Sequence, residues 1–100
     1  MKEYILIVLS SSPAFGSTYI QGLEIALNLS DAEYPVKVLL EGDMALAIYS
    51  GSSDSEYAKQ LKQLDLYDVE TFSDREVCLE FVKTSPVRSL MDEAKNIVVF

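Results

Sequence analysis

The residues from Tyr4 to Leu9 form an uninterrupted apolar run that leads directly into a loop of small residues. An apolar run without alternation is typical of a strand buried on both faces, as parallel sheets require. After residues 10–18, which read Ser-Ser-Ser-Pro-Ala-Phe-Gly-Ser-Thr, apolar residues recur at helical spacing. This junction predicts an α/β fold whose first loop lies at the carboxyl end of a strand, where open α/β sheets place their sites.

The rest of the chain continues the alternation of strands and helices. The spacing of apolar residues and the capping patterns predict strands at 3–10, 36–40, 66–72 and 97–100, and helices at about 18–30, 44–49, 54–64, 73–83 and 86–96. Neither a repeat nor a linker interrupts this order, so we expect a single domain over residues 1–100. The expected architecture is a three-layer, flavodoxin-like α/β fold, with a mainly parallel sheet of four or five strands and helices on both faces.

Charge and composition exclude several classes of function. The chain has 16 acidic and 8 basic residues, a formal net charge of -8, and this field opposes direct binding to nucleic acid or to anionic membranes. Acidic solubility and attraction to a basic protein both account for the charge. The absence of histidine excludes imidazole zinc sites and Ser-His or Cys-His catalysis within this chain, and we expect no metal and no cofactor.

Location is inferred from the cysteine count and the apolar segments. The chain has a single cysteine, Cys78, so it forms no intrachain disulfide, which fits a reducing compartment. The apolar start lacks the basic region and the cleavage site of a signal peptide, and no stretch reaches the roughly 20 apolar residues of a membrane span. We therefore expect a cytoplasmic protein that does not enter membranes.

Two features carry candidate chemistry. The loop after the first strand offers hydroxyls and free amides at a helix N-terminus, which suits an anion, although the spacing matches neither a Walker loop nor a dinucleotide fingerprint. A well-capped turn explains the same residues (Ser10, Ser11, Ser12, Gly16, Ser17 and Thr18). Cys78 is the one soft nucleophile, and it lies more than a turn inside a helix predicted to begin after Ser73. A half-buried core cysteine and a reactive thiol both remain open.

Four stretches together resemble the DsrE/DsrF/DsrH-like sulfur-relay family, which includes the TusB, TusC and TusD subunits. Pro13 to Ser17 is similar to the family's Pro-x-aromatic-Gly-Ser/Thr loop, and Leu40 to Asp43 to its Asp/Glu-Gly turn after the second strand. Leu64 to Glu70 resembles the Leu-Tyr-Asp-Ile-Glu stretch of the TusC/DsrF branch, and Asn96 to Phe100 its terminal strand. The match covers nearly the whole chain, and the branch it most resembles is DsrF/TusC.

The resemblance implies a DsrE-like fold and oligomers of small subunits. In the catalytic branch, a cysteine just after the third strand carries sulfur as a persulfide toward tRNA thiolation or sulfur oxidation. Ser73 and Asp74 hold those positions here, and neither side chain can carry a persulfide. The resemblance therefore implies a non-catalytic subunit that assembles with itself or with DsrE/TusD- and DsrH/TusB-like subunits. A remnant of the family's site would comprise Ser10, Ser11, Ser12, Pro13, Phe15, Gly16, Ser17, Gly42, Ser73 and Asp74.

Two alternatives remain. One is a sulfur carrier that uses Cys78, which requires the thiol to face solvent at a subunit junction. The other is a small domain that binds an anion or a nucleotide through the serine-rich loop.

Overall fold

The described residues form five strands and four helices. The computed structural model describes residues 4–11, 16, 18–50, 56–75 and 81–100. Within them lie the strands β1 (Tyr4–Leu9), β2 (Val36–Leu40), β3 (Glu70–Ser73), β4 (Val82–Thr84) and β5 (Ala94–Val99), and the helices α1 (Thr18–Asp31), α2 (Gly42–Ser50), α3 (Glu56–Leu66) and α4 (Val87–Asp92).

The strands described in the structure form one parallel sheet in the order β4-β3-β2-β1-β5. The apolar run of β1 pairs with β2 on one side and with β5 on the other, and four of its six side chains, from Leu6 to Leu9, are almost completely buried. A strand paired on both sides and covered on both faces needs apolar residues at successive positions. The prediction that Tyr4 to Leu9 forms a buried strand of an α/β fold is confirmed.

The strand order decides which face each helix covers. The strands β1 to β4 follow one another in a single direction, whereas β5 returns to the far side of β1. Right-handed crossovers therefore place the first three helices on one face and α4 on the other. We call these faces the α1 face and the α4 face. The predicted helices on both sides of the sheet are confirmed.

Each face has its own apolar core. On the α1 face, strand side chains such as Ile7 and Leu9 pack with residues of the first three helices, including Leu23, Met44 and Leu61. On the α4 face, a smaller cluster joins strand residues to Leu90; its buried members are Tyr4, Leu6, Val8, Leu39, Phe72, Leu90 and Ala94. The alternation of β1 side chains between the two clusters follows from the period of two in a strand.

Gly22 allows α1 to lie close to the sheet. It is buried in the middle of the helix, and a Cβ added there would overlap Cδ2 of Leu9 and lie 2.9 Å from Cδ2 of Phe100. Glycine normally weakens a helix interior. Its presence here is explained by this close approach, which brings α1 against both β1 and the residue that follows β5.

Polar contacts connect the helices to the rest of the fold. The Tyr19 hydroxyl of α1 donates to Oε1 of Gln60 in α3, at 2.6 Å. The Tyr57 hydroxyl of α3 donates to the Ala47 carbonyl of α2, at 3.2 Å. In the described part of the chain, none of the helices is both long enough and apolar enough to cross a membrane.

The sequence-based boundaries were wrong in the last third of the chain. The helix predicted over 73–83 conflicts with the structure at both ends, since Ser73 is the last residue of β3 and Val82 begins β4. The strand predicted at 66–72 begins only at Glu70, because α3 continues through Leu66. Parallel pairing of β4 with β3, from Thr71 to Ser73, outweighs the local helix signals there.

The last helix is shorter than predicted. It ends at Asp92 rather than near residue 96, and Pro86 is its N-cap, in an extended conformation, rather than its first residue. The closing strand begins at Ala94, three residues earlier than predicted, because Ala94 pairs with Tyr4. Backbone pairing with β1 again outweighs the apolar helical spacing that extended the predicted helix.

Candidate functional site

The candidate site is the carboxyl edge of the sheet, where the loops after β1, β2 and β3 meet. Ser10 and Ser11 follow β1, and both of their amides donate to the Phe100 carbonyl, at 2.8 and 3.2 Å. The Ser10 hydroxyl donates to the same carbonyl at 3.2 Å. These donors are thus engaged in holding the end of β5 against β1, which leaves them less available to a ligand.

Gly42 lies directly beside the end of β1. It is the first residue of α2 and has a φ of +59°, a conformation that residues with a Cβ adopt at a cost. A Cβ at this position would stand 3.5 Å from the Ser10 carbonyl oxygen, which also accepts a hydrogen bond from the Met44 amide at 3.3 Å. Two of the predicted site residues, Ser10 and Gly42, are therefore neighbours.

Ser73 is held by backbone contacts at the end of β3. Its side chain is completely buried, and its hydroxyl oxygen accepts from the Arg75 amide at 3.3 Å. Its carbonyl accepts from the Ser85 amide at 3.0 Å, which connects it to the residue after β4. In the register of the sheet Ser73 pairs with Leu40 of β2, and β2 separates Ser73 from β1. Ser73 therefore lies at the predicted edge of the sheet, where its hydroxyl and its carbonyl both accept hydrogen bonds from the backbone.

Asp74, the neighbouring candidate, lies at the surface. Its Oδ1 is 3.2 Å from Nε of Arg75, in an exposed ion pair between adjacent residues. Exposed pairs of this kind contribute less than about 1 kcal/mol to stability. The position that follows the third strand thus presents a carboxylate and a guanidinium to solvent.

Glu41 was not among the predicted site residues. Its Oε2 is buried at the end of β2, and no group in the described part of the chain donates a hydrogen bond to it. A buried carboxylate oxygen without a donor costs free energy, so this oxygen destabilises the fold locally. The resemblance of Leu40 to Asp43 to the family's Asp/Glu-Gly turn includes Glu41, but no local pattern predicts that its Oε2 is buried.

Carboxylates dominate this edge of the sheet. Among the described residues at positions 41–43 and 74–75, Glu41, Asp43 and Asp74 outnumber the single cation, Arg75. Asp43 lies in the first turn of α2, where a negative charge stabilises the helix dipole. Such an edge repels phosphate and favours groups that donate hydrogen bonds.

Several predicted site residues lie outside the described part of the chain: Ser12, Pro13, Phe15, Ser17 and Cys78. Gly16 is described and is exposed. Over the described residues, no group of three or more cysteine, aspartate or glutamate side chains is arranged to hold a metal ion.

A second polar cluster lies near the amino end of the α4 face. The Tyr4 hydroxyl donates to the Leu90 carbonyl of α4, and the ammonium of Lys37 lies over the Tyr4 ring, 4.4 Å from its centroid. Burial raises the pKa of Tyr4, and the carboxylates of Glu93 and Glu70 raise it further. Burial also raises the pKa of Tyr19 on the opposite face. Both phenols are neutral hydrogen-bond donors and belong to the core rather than to the carboxyl edge.

Comparison with known proteins identifies the fold. No family model matches the chain, and no curated protein matches it in sequence. Among solved structures, the YchN protein from E. coli superimposes with a TM-score of 0.76, over 98% of this chain and 99% of that one, at 17% sequence identity. An identity this low supports a statement about the fold alone. The chain has the DsrE-like α/β fold that its sequence predicted.

Proposed function

We propose that the chain is a non-catalytic, DsrF/TusC-like subunit of a sulfur-relay assembly. In this role it packs against a subunit whose cysteine carries persulfide toward tRNA thiolation or sulfur oxidation in the cytoplasm. The DsrE-like fold and the four stretches that resemble the family, two of them its DsrF/TusC branch, support this proposal.

The observation that carries the proposal is the chemistry at the end of β3. In the catalytic branch this position supplies the persulfide-bearing thiol, whereas here it supplies a buried hydroxyl and an ion-paired carboxylate. Neither Ser73 nor Asp74 can form a sulfur-sulfur bond. A subunit with this pair contributes its surfaces to an assembly, while the thiol chemistry belongs to another chain.

The carboxyl edge also argues against the alternative of an anion-binding or nucleotide-binding domain. A phosphate there would approach Glu41, Asp43 and Asp74, and Arg75 is the one cation at this edge among the described positions 41–43 and 74–75. The amides of Ser10 and Ser11 are already hydrogen-bonded to Phe100. Among the residues of this edge that the structure describes, the Ser10 and Ser11 amides are occupied and acidic groups outnumber the basic one, which does not favour an anion.

The proposed partners are further copies of this chain, or DsrE/TusD- and DsrH/TusB-like subunits from the same cell. Exposed apolar side chains support an assembly, since Leu46, Leu66 and Val99 are each more than half exposed. The net charge of -8 supports assembly with proteins rather than direct contact with nucleic acid.

Co-purification combined with mass spectrometry tests the proposal. The tagged chain is isolated together with its native partners, and persulfide is measured on every thiol of each subunit before and after treatment with inorganic polysulfide. We expect a DsrE/TusD-like partner to co-purify and to carry the persulfide, because its cysteine occupies the position that Ser73 or Asp74 occupies here. The variant Cys78→Ser should retain the partner and the persulfide level.

The carrier alternative predicts a different result. If Cys78 itself is persulfidated in freshly isolated protein, and Cys78→Ser lowers the sulfur transferred to the partner, then the non-catalytic role is wrong. Alkylation of the native chain as a function of pH gives an independent measurement, since a carrier thiol reacts rapidly near neutral pH. Slow labelling below about pH 8 is the expected result for a structural cysteine.

A further inference from the structure

The two edges of the sheet differ in length and in character. The strand β4 has three residues, and Lys83 and Thr84 are exposed on it. The strand β5 has six residues, of which the five from Lys95 to Val99 are exposed. Natural sheets protect their edges with short strands and with charged side chains, because a long apolar edge pairs with other chains. The edge at β4 is protected in both ways, whereas β5 is long and has a charged side chain only at Lys95, near its start.

The last three exposed side chains of β5 are apolar, and they lie on both faces of the strand. Ile97, Val98 and Val99 are 44%, 41% and 60% exposed. Their register with β1 places Ile97 and Val99 on the α4 face and Val98 on the α1 face. A helix packed on one face would cover only part of this set. A strand lying alongside β5 would contact all three side chains.

The backbone of β5 is also available for pairing. The Phe100 amide donates to the Val8 carbonyl at 2.7 Å, and the Phe100 carbonyl accepts from the Ser10 amide at 2.8 Å, so both groups of this residue point toward β1. Backbone groups alternate in direction along a strand. The amides and carbonyls of Ile97 and Val99 therefore point away from β1, and among the described strands none lies on that side.

Charge indicates which chain covers this edge. The whole chain carries a net charge of -8, so most surfaces of two copies repel each other. Residues 95–100 contain no aspartate or glutamate, and Lys95, at the beginning of the segment, is their one charged side chain. Two copies that meet along β5 bring apolar side chains together without opposing acidic side chains, which makes a second copy the occupant that fits.

We propose that two copies of the chain pair through β5, antiparallel, about a two-fold axis that passes through Val98. In this register Ile97 of each copy lies opposite Val99 of the other and exchanges two backbone hydrogen bonds with it. Val98 lies opposite Val98 of the second copy, as a pair without hydrogen bonds. All three exposed apolar side chains become cross-strand pairs, and the two sheets join into one of ten strands among the described residues.

This pairing does not depend on the sulfur-relay role. The register between β5 and β1 shifts at Lys95, which is an extra residue on β5 opposite the step from Tyr4 to Ile5. This bulge limits the pairing between copies to the straight part of β5, from Asn96 to Val99. An assembly with a different subunit through another surface is compatible with it. A monomeric chain that still binds a DsrE/TusD-like subunit would overturn the pairing alone, and a β5 dimer that binds no such subunit would overturn the proposed function alone.

Sedimentation velocity from about 1 to about 100 μM protein tests the association. We expect the wild-type chain to dimerise in this range. Val98→Lys should raise the dissociation constant about tenfold or more, because it places two ammonium groups directly opposite each other. Val99→Lys, at a more exposed position, should act in the same direction. The control is Leu66→Lys, which places the same charge on a side chain that is 71% exposed at the end of α3, and it should leave the dimer intact.

A disulfide test checks the register. In the background of Cys78→Ser, Val98→Cys should form a dimer disulfide on mild oxidation, because Cα atoms in a pair of this kind are roughly 4.5 Å apart, within disulfide range. Asn96→Cys should not, since Asn96 lies opposite Phe100 of the second copy. A monomer at every concentration, a dimer unaffected by both lysine variants, or efficient cross-linking through residue 96 but not 98 would each overturn the proposal.

Discussion

The close contact between α1 and the sheet at Gly22 gives a prediction that separates two opposite outcomes. In an exposed helix interior, Gly→Ala stabilises a protein by about 1 kcal/mol. At Gly22 the new Cβ overlaps Cδ2 of Leu9 and lies 2.9 Å from Cδ2 of Phe100. Leu9 is completely buried and the Phe100 carbonyl accepts three hydrogen bonds, so neither neighbour moves freely.

The expected magnitude follows from these opposing effects. Overpacking a core by one methyl group costs about 1–3 kcal/mol, and two constrained neighbours place Gly22→Ala in the upper half of that range. After subtracting about 1 kcal/mol for helix propensity, we expect a net loss of roughly 1–2 kcal/mol in the free energy of unfolding. For a chain of this size this lowers Tm by roughly 5–10 °C.

Urea unfolding at one fixed protein concentration measures the effect, because self-association would otherwise change the apparent stability. The control is Asn28→Ala on the exposed side of α1, which should stabilise the chain by about 0.5 kcal/mol through helix propensity alone. Leu9→Val shortens the side chain that the new Cβ contacts. It should therefore lower the free energy of unfolding by about 1 kcal/mol less in the Gly22→Ala background than in the wild type.

The outcome that would refute this reasoning is stabilisation. If Gly22→Ala raises the free energy of unfolding by about 1 kcal/mol, α1 does not approach Leu9 and Phe100 as closely as the structure places it. The absence of coupling between positions 9 and 22 would lead to the same conclusion.

Two further predictions concern polar groups. Burial raises the pKa of Tyr4, and nearby carboxylates raise it further, so the folded state favours the neutral phenol. The contribution of Tyr4 to stability is therefore complete below its ordinary pKa of 10.0 and is lost as the pH rises above that value. Tyr4→Phe, which removes the hydrogen bond to Leu90, should cost about 1 kcal/mol at pH 7 and should reduce the alkaline loss of stability measured by urea unfolding between pH 8 and 11. The exposed control Tyr34→Phe should change neither quantity, and an unchanged alkaline loss in Tyr4→Phe would contradict the assignment. Glu41→Gln should raise the free energy of unfolding at pH 7 by up to about 1 kcal/mol, because it removes a charge from a carboxyl whose buried Oε2 has no donor among the described residues. The control is Glu24→Gln, at an exposed position of α1, which should change the free energy of unfolding by less than about 0.5 kcal/mol. A loss of stability in Glu41→Gln would mean that a donor reaches this oxygen in solution.

The sequence predicted the parts of the fold that rest on long apolar patterns. The run from Tyr4 to Leu9 identified a strand covered on both faces, and the helical spacing after Thr18 located α1 to within one residue. Both signals are local, because the order of apolar and polar side chains within each element indicates which of its faces are buried.

The sequence did not reveal β4 because that strand has only three residues. A capping pattern before this segment predicts a helix there, and residues 82–84 are extended because they pair with β3. The same limit applies to Glu41, whose buried Oε2 results from the packing of neighbouring loops rather than from any local motif. Contacts between segments distant in sequence decide both features, and a pattern within one segment does not contain them.

The distribution of charge connects the proposed function with the proposed pairing. The carboxyl edge carries Glu41, Asp43 and Asp74 and repels a second copy of itself, so copies of this chain do not meet there without a basic partner. The β5 edge has no acidic side chain over residues 95–100 and is open to a second copy. A dimer formed through β5 leaves both acidic edges free, one on each copy. A catalytic subunit with a basic surface at its thiol would then find two equivalent docking positions, which predicts equal numbers of this chain and its partner in the assembly.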